Sequence, residues 1–527
     1  MQSFKFISVF MFVLGSFLQA KSNNISISNI TSGSNSTGVY LQFDLGWENS
    51  WKNATNYDAA WVFFKFKDND GNWYHLNLNN TNNSISGAYT LSVASDNIGA
   101  FIYRNTTSNG TVSLTSVRLG IDNLPGSFDV RGYAIEMVQV PSGSFYVGDN
   151  GSLIQKKYYT GTGAAPTNGF QITTATATSI TVGNSSGNLV DSIAVSGIFY
   201  SAAFPTGYNQ FYCMKYELSQ GGFRDFLNTL SYSQQSNITL VSPNSAVGTR
   251  CLGSSNRNFI EVKTSGTNAT VSAVYGCDAS ENNTFDESDD GEWVACNNIS
   301  WPNMAAYLDW AGLRPMTELE YEKASRGTSS LGSYDLPTGE SYTTLPDYEY
   351  TLADSGKTSE YLISLNVSTT SNSLYAGMQS ANGFTGPMRN GAFANAYSTR
   401  ISSGASYYGI MELAGNLNEL VVSTGCVAGR SFRGNLGDGN VYPGNNPSYC
   451  GYANVPYWPG NGGGASGNNT LTSQNSSSSS PASGIAGITT KGGNWSTTSS
   501  PPMCLAYRYN PETAVTRSAY FGIRGVR

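Results

Sequence analysis

Between residues 39 and 121 apolar and polar positions alternate in short runs separated by Asn, Gly, Ser and Asp. Val39-Tyr40-Leu41-Gln42-Phe43-Asp44-Leu45 puts every second side chain on one face, the period of a half-buried strand. Segments 60–66 and 73–78 flank the turn Asp68-Asn69-Asp70-Gly71, and further strands are predicted at 88–93, 100–103 and 112–121. Short strands with polar turns between them predict an antiparallel β-sandwich over residues 23–133.

After residue 134 the pattern changes. Three helices are predicted from their start and stop signals. One follows Ser219 and covers 220–230; a second covers 302–311, with Ser300 as its cap and Gly312 as its stop. The third begins at Thr317, which stands three residues before Glu320 in capping-box spacing, and ends before Gly327. Between these elements lie long polar loops at 151–207, 328–380 and 453–485, the last carrying Gly462-Gly463-Gly464 and the serine run from Ser476 to Ser480. Loops of such length in a compact domain are functional surfaces or lack fixed structure. The second domain is set at 134–527.

Composition narrows the function classes. The net charge is −7 and only 12% of residues are charged, so nothing forms the basic patch that nucleic acid requires. Lys5 followed by the apolar run 6–18 reads as an export signal cleaved near residues 20–22. That run is too short to span a membrane. The mature chain is therefore expected to be secreted, periplasmic or at the cell surface. Seven cysteines, all beyond residue 200, allow up to three disulfides in an oxidising compartment, with one left over. No pair is spaced as Cys-x-x-Cys, so no zinc ribbon is suggested. The only histidine, His75, has no histidine partner for acid–base or metal work and is expected to be an ordinary strand residue, facing solvent or a cross-strand neighbour.

Five segments of the second domain carry a resemblance. They are Ile135 through Gly148, Phe211-Tyr212-Cys213-Met214-Lys215-Tyr216-Glu217-Leu218-Ser219, and Ser300-Trp301-Pro302 through Glu322. The fourth is Tyr408-Gly409-Ile410-Met411-Glu412-Leu413-Ala414-Gly415-Asn416-Leu417-Asn418-Glu419. The last is the closing stretch from Gly492-Gly493-Asn494-Trp495 to Phe521-Gly522-Ile523-Arg524. In this order they resemble the formylglycine-generating enzymes, or sulfatase-modifying factors. Added to the antiparallel β-sandwich predicted over 23–133, the resemblance implies a loop-rich second domain of C-type-lectin-like fold and so an α+β chain.

The resemblance also frames the chemistry. The family's copper enzymes use two thiolates shortly after the Gly-Gly pair, because soft sulfur holds Cu(I). Here only Cys504 stands in that stretch, and hydroxyls and prolines fill Ser496 to Pro502. Copper is therefore not expected unless Cys426 or Cys450 folds beside Cys504. A multi-histidine iron site is excluded by the single histidine. Calcium, which takes hard oxygen ligands, is the metal the resemblance implies, with Asn416 and Glu419 as its ligands. The alternative for these two is a hydrogen-bonded turn. Asp286, Glu287, Asp289 and Asp290 form a second acidic run, expected as a solvated loop. Arg508, Arg517 and Arg524 either bind an anionic ligand or tie loop carbonyls and carboxylates together. The expected function is a non-catalytic binding or structural protein recognising a carbohydrate or a surface protein, its surface rich in Tyr, Ser, Asn and Gly. The alternative is a sulfatase-modifying oxidoreductase that converts a substrate cysteine to formylglycine.

Overall fold

The structure is a computed structural model describing residues 24–527 except 123–128, 152–153, 155–156, 162–167, 192–196, 254–255, 342–349, 365–384, 395–397, 445–449, 460–486, 498–500 and 509–516. The expected export signal, the Gly462–464 run and the Ser476–480 run lie outside the described residues. The molecule is β-rich with several antiparallel sheets, compatible with an α+β chain.

The first strands follow the alternation. They are β1 (Ser26–Asn35), β2 (Gly38–Lys52), β3 (Asp58–Lys67), β4 (Trp73–Leu76), β5 (Leu78–Ser84), β6 (Tyr89–Val93), β7 (Ala100–Arg104) and β8 (Ser108–Ile121). In β2, Leu41, Phe43, Leu45 and Trp47 are buried and the residues between them only partly so, as a period of two demands. β1, β2, β8 and β5 form one four-stranded sheet. Its inward side chains share an apolar cluster with Val62 and Phe64 of β3 and Ile102 of β7.

β3 departs from simple alternation because both its faces are covered. Ala60, Val62 and Phe64 face the first cluster, while Ala59, Trp61 and Phe63 join the large core of the second part. A strand buried on both sides reads as a continuous apolar run, which is how residues 59–64 read.

The connecting strand β9 (Asp129–Val140) decides the architecture. It pairs with β3 from Asp58↔Val138 to Lys67↔Asp129, and on its other edge with Phe211–Met214, from Phe211↔Val140 to Met214↔Met137. One eight-stranded sheet thus runs from Arg314–Pro315 through Gly525–Val526, Phe211–Met214, β9, β3 and β7 to β6, with β4 also on β3. The expected boundary at 133/134 falls inside β9, and the two parts share this sheet. Polar bridges reinforce the join. Lys215 Nζ reaches Asp58 at 3.2 Å and Glu136 at 3.0 Å, Trp61 Nε1 donates to the Ala311 carbonyl at 2.9 Å, and Asn56 Nδ2 donates to the Tyr408 carbonyl at 2.9 Å.

The helices form where the caps place them. α1 (Gln220–Leu227) is capped by Ser219, whose hydroxyl accepts from Gly222 N–H. α2 (Tyr232–Ile238), not anticipated, opens with a capping box of Ser231 and Gln234. α3 (Trp301–Trp310) has a box of Ser300 and Asn303, and α4 (Glu318–Arg326) the box of Thr317 and Glu320. α4 stops at Gly327, whose φ of 66° leaves the helical region. No helix among the described residues is long and apolar enough to cross a membrane.

His75 is a cross-strand neighbour, opposite Lys65, and buried. The expected disulfides do not occur among the described residues: Cys213, Cys251, Cys277, Cys296 and Cys450 are buried thiols.

Candidate functional site

The closing segment and the central glycine-asparagine motif meet in a three-stranded sheet. Asn418–Val422 pairs antiparallel with Ile488–Lys491 and parallel with Phe521–Gly522. Glu419 sits opposite Lys491 on one side and Gly522 on the other. The chain then turns at Gly492 and Gly493, with φ of 90° and 68°. A side chain at Gly492 would meet the Leu413 carbonyl at 2.7 Å, so the close approach of the two motifs needs glycine there.

A Cβ on Gly493 would lie 2.5 Å from Met503 Sδ and 3.2 Å from Thr497 Oγ1, so these two side chains flank the turn. Thr497, where the resemblance would put the first thiol, accepts the Asn494 N–H at 2.9 Å. Cys504 is buried and its Sγ reaches the Tyr334 carbonyl at 3.7 Å. Burial pushes the Cys504 thiol up to about 12, and the carboxylates of Asp149 and Asp335 push the same way. A thiol so held stays protonated at neutral pH, whereas Cu(I) ligation and nucleophilic chemistry need the thiolate. Cys450 lies against Asn237, which donates to its sulfur at 3.1 Å. Among the described residues at this turn, Cys504, Thr497 and Met503 offer a thiol, a hydroxyl and a thioether, where the copper enzymes would need two thiolates.

The three arginines are spent internally. Arg508 forks onto Glu318, at 2.7 Å from Nε and 2.5 Å from Nη2, and onto Asp191, with the Tyr158 ring 4.0 Å away. Burial alone would raise Glu318, but Arg508 overrides it and holds the carboxyl below its ordinary value. Arg517 donates to the carbonyls of Asn298 and Ile238, each at 2.7 Å. Arg524 binds Glu419 at 2.6 Å and the carbonyls of Met214 and Met411 at 2.9 and 2.8 Å. Of the two readings for these residues, the structure takes the one in which guanidinium forks tie a loop-rich core together.

Around Arg524 stands a cluster of buried carboxylates. Glu217 accepts Leu417 N–H at 2.9 Å and the Asn416 amide. Asn416 Oδ1 accepts Met388 N–H at 2.9 Å. Glu412 accepts Gly391 N–H at 2.6 Å. Glu412 and Asn416 both hold left-handed backbone, with φ of 52° and 57°, a strained conformation the surrounding contacts must maintain. Burial raises all three glutamates: Glu217 well above its ordinary range, Glu412 to about 7, and Glu419 despite Arg524 beside it. Glu412 Oε2 and Glu419 Oε2 are buried without a hydrogen-bond partner. Glu217 and Glu412 were not singled out in the sequence. Their signal was only their place inside two of the five motif segments.

Asn416 and Glu419, the expected calcium ligands, come close through the shared glutamate cluster but turn to different partners. Asn416 serves Glu217 and Met388, and Glu419 serves Arg524. Of the carboxylate and amide oxygens of these two residues, Glu419 Oε2 is the one buried without a hydrogen-bond partner. In the other acidic run, Asp286 is engaged by Arg224 and Lys263, while carboxylate oxygens of Glu287, Asp289 and Asp290 lie within 4.8 Å of one another.

Among known families, the model for the sulfatase-modifying factor enzyme 1-like domain matches residues 127–527. No curated protein matches the chain.

Proposed function

This chain belongs to the sulfatase-modifying factor enzyme 1-like family, and from that premise we propose that it is a binding protein on the family's fold rather than a thiol oxidase. In this reading it is exported, carries an N-terminal antiparallel sandwich and a C-type-lectin-like second part, and recognises a carbohydrate or a surface protein outside the cytoplasm. The observation that carries the reading is the pair of positions after Gly493. Thr497 offers a hydroxyl bonded to its own turn, and Cys504 offers a buried thiol held up near 12. The test is to incubate reduced, copper-loaded protein in air with a sulfatase-type cysteine peptide and follow the peptide mass. No conversion to the aldehyde is expected.

Family membership over 127–527 favours one second reading, formylglycine formation by an oxidoreductase. It requires Cys426 or Cys450 to stand beside Cys504 as the second thiolate, and conversion abolished by Cys504→Ser would establish it.

Calcium belongs to the first reading as a structural ion held through Glu419, with Asn416 fixing the turn. The cluster supports this in charge: Glu217, Glu412 and Glu419 outnumber Arg524, and either protons or a cation must balance the excess. Calcium should raise the melting temperature of the parent protein and not that of Glu419→Ala. An equal rise in both removes Glu419 as the ligand.

A further inference from the structure

A cleft of about 740 Å³ opens where the first part of the chain meets the second, away from the closing segment. Strand β4 supplies Trp73, Tyr74 and His75 to one wall. The end of α1 and the start of α2 supply Thr229, Ser231, Ser233 and Gln234, and the loop that follows Gly439 supplies Asn440 and Asn454. The volume is within the range of pockets that hold small ligands, roughly 300–1,000 Å³.

Among the described residues of the lining Lys65 is the only cation, and its Nζ is shared among His75 Nδ1 at 3.1 Å, the Trp310 carbonyl at 2.6 Å and the Gly439 carbonyl. His75 Nε2 lies 2.7 Å from the Ile98 carbonyl, an acceptor only, so Nε2 carries the proton and Nδ1 accepts from Lys65. Burial depresses both Lys65 and His75 well below their ordinary values. No described residue in the lining is a carboxylate. A cationic ligand would find no counter-charge on the described lining, and Lys65 is already turned to three internal acceptors.

The polar groups left over are neutral. The side chains of Asn72, Ser233 and Asn454 make no hydrogen bond among those described for this wall, and Trp310 has a buried indole N–H with no acceptor. Amides and hydroxyls that both donate and accept match sugar hydroxyls, and the Trp73 and Tyr74 rings match the C–H faces of pyranose rings. Tyr74 is 43% exposed, open to such a contact.

We propose that the cleft between β4, the α1–α2 connection, residues 439–444 and Asn454 is a binding site for a neutral oligosaccharide. The inference rests on the binding reading above and names both its ligand class and its location. It sets the recognition surface at the junction of the two parts and leaves the family's thiol position unused.

The test is titration of the full chain with four neutral hexasaccharides: maltohexaose, cellohexaose, mannohexaose and chitohexaose. Calorimetry and tryptophan fluorescence give the readouts, since Trp73 and Trp310 line the cleft. At least one sugar should bind saturably, and Trp73→Ala and Asn454→Ala should each weaken it by roughly tenfold or more. Trp51→Ala, in a separate 410 Å³ cleft, should leave the affinity unchanged. Melting curves check that each variant is folded, and the Asn454 side chain, which bonds nothing described, is the safer of the two. No binding by any of the four at millimolar concentration overturns the proposal. Binding unchanged in both variants also overturns it, while leaving the binding reading in place. Conversion of a cysteine peptide by the same protein is what would remove that reading.

Discussion

Glu412 is the residue whose environment makes the sharpest quantitative demand. Its carboxyl is buried and held up to about 7, against an ordinary value of 4.5. A carboxylate raised on folding contributes stability that is fully present below the unfolded value and lost as pH rises through the folded one. Between pH 4.5 and 7 this residue should therefore cost the fold on the order of 3 kcal/mol. Glu217 and Glu419 act in the same direction. In Glu412→Gln, the parent's loss of stability across that window should shrink by about that amount, measured by denaturant unfolding at each pH; identical pH slopes in the two proteins would refute the assignment. Cys504 makes a second demand. Its burial predicts no reaction with a thiol reagent at pH 8 until the protein is unfolded. Neither property was readable from the sequence, because the groups that set them lie far away in the chain. Arg524 is 105 positions from Glu419, and Tyr334 is 170 from Cys504.

The elements were legible to the extent that their causes are local. The strands around Leu41–Leu45 and the helices after Ser219, Ser300 and Thr317 formed because alternation and capping are short-range signals. α2 was missed although Ser231 and Gln234 spell the same capping box, because its apolar period is weak. The Thr317 cap carries a testable weight. Its hydroxyl accepts Glu320 N–H at 3.1 Å, and Glu320 returns the bond to Thr317 N–H at 3.1 Å while gripping Arg314 at 2.6 Å. Thr317→Ala should cost about 1–2 kcal/mol in thermal or denaturant unfolding. A loss below a few tenths would mean that packing, and not the cap, fixes the start of α4.

At the scale of the whole molecule, the shared sheet was invisible in the sequence. Pairing of β9 with β3 and with Phe211–Met214 joins segments some 70 residues apart on each side, and no local pattern specifies it. The consequence is that residues 23–133 should not fold alone. Cutting there removes the second half of β9 and exposes Trp61 and Phe63, each worth about 1.5–3 kcal/mol of burial. A fragment carrying residues 23–133 should show no cooperative unfolding by circular dichroism; a sharp transition would restore two independent units. That this family member binds and does not oxidise thiols can be tested by one direct measurement. Copper-loaded, reduced full-length protein is incubated in air with a sulfatase-type cysteine peptide, and the peptide mass is followed with time. An unchanged mass is expected, because Thr497 offers a hydroxyl and burial holds the Cys504 thiol up at about 12. Multiple-turnover conversion to the aldehyde, abolished by Cys504→Ser, would contradict it.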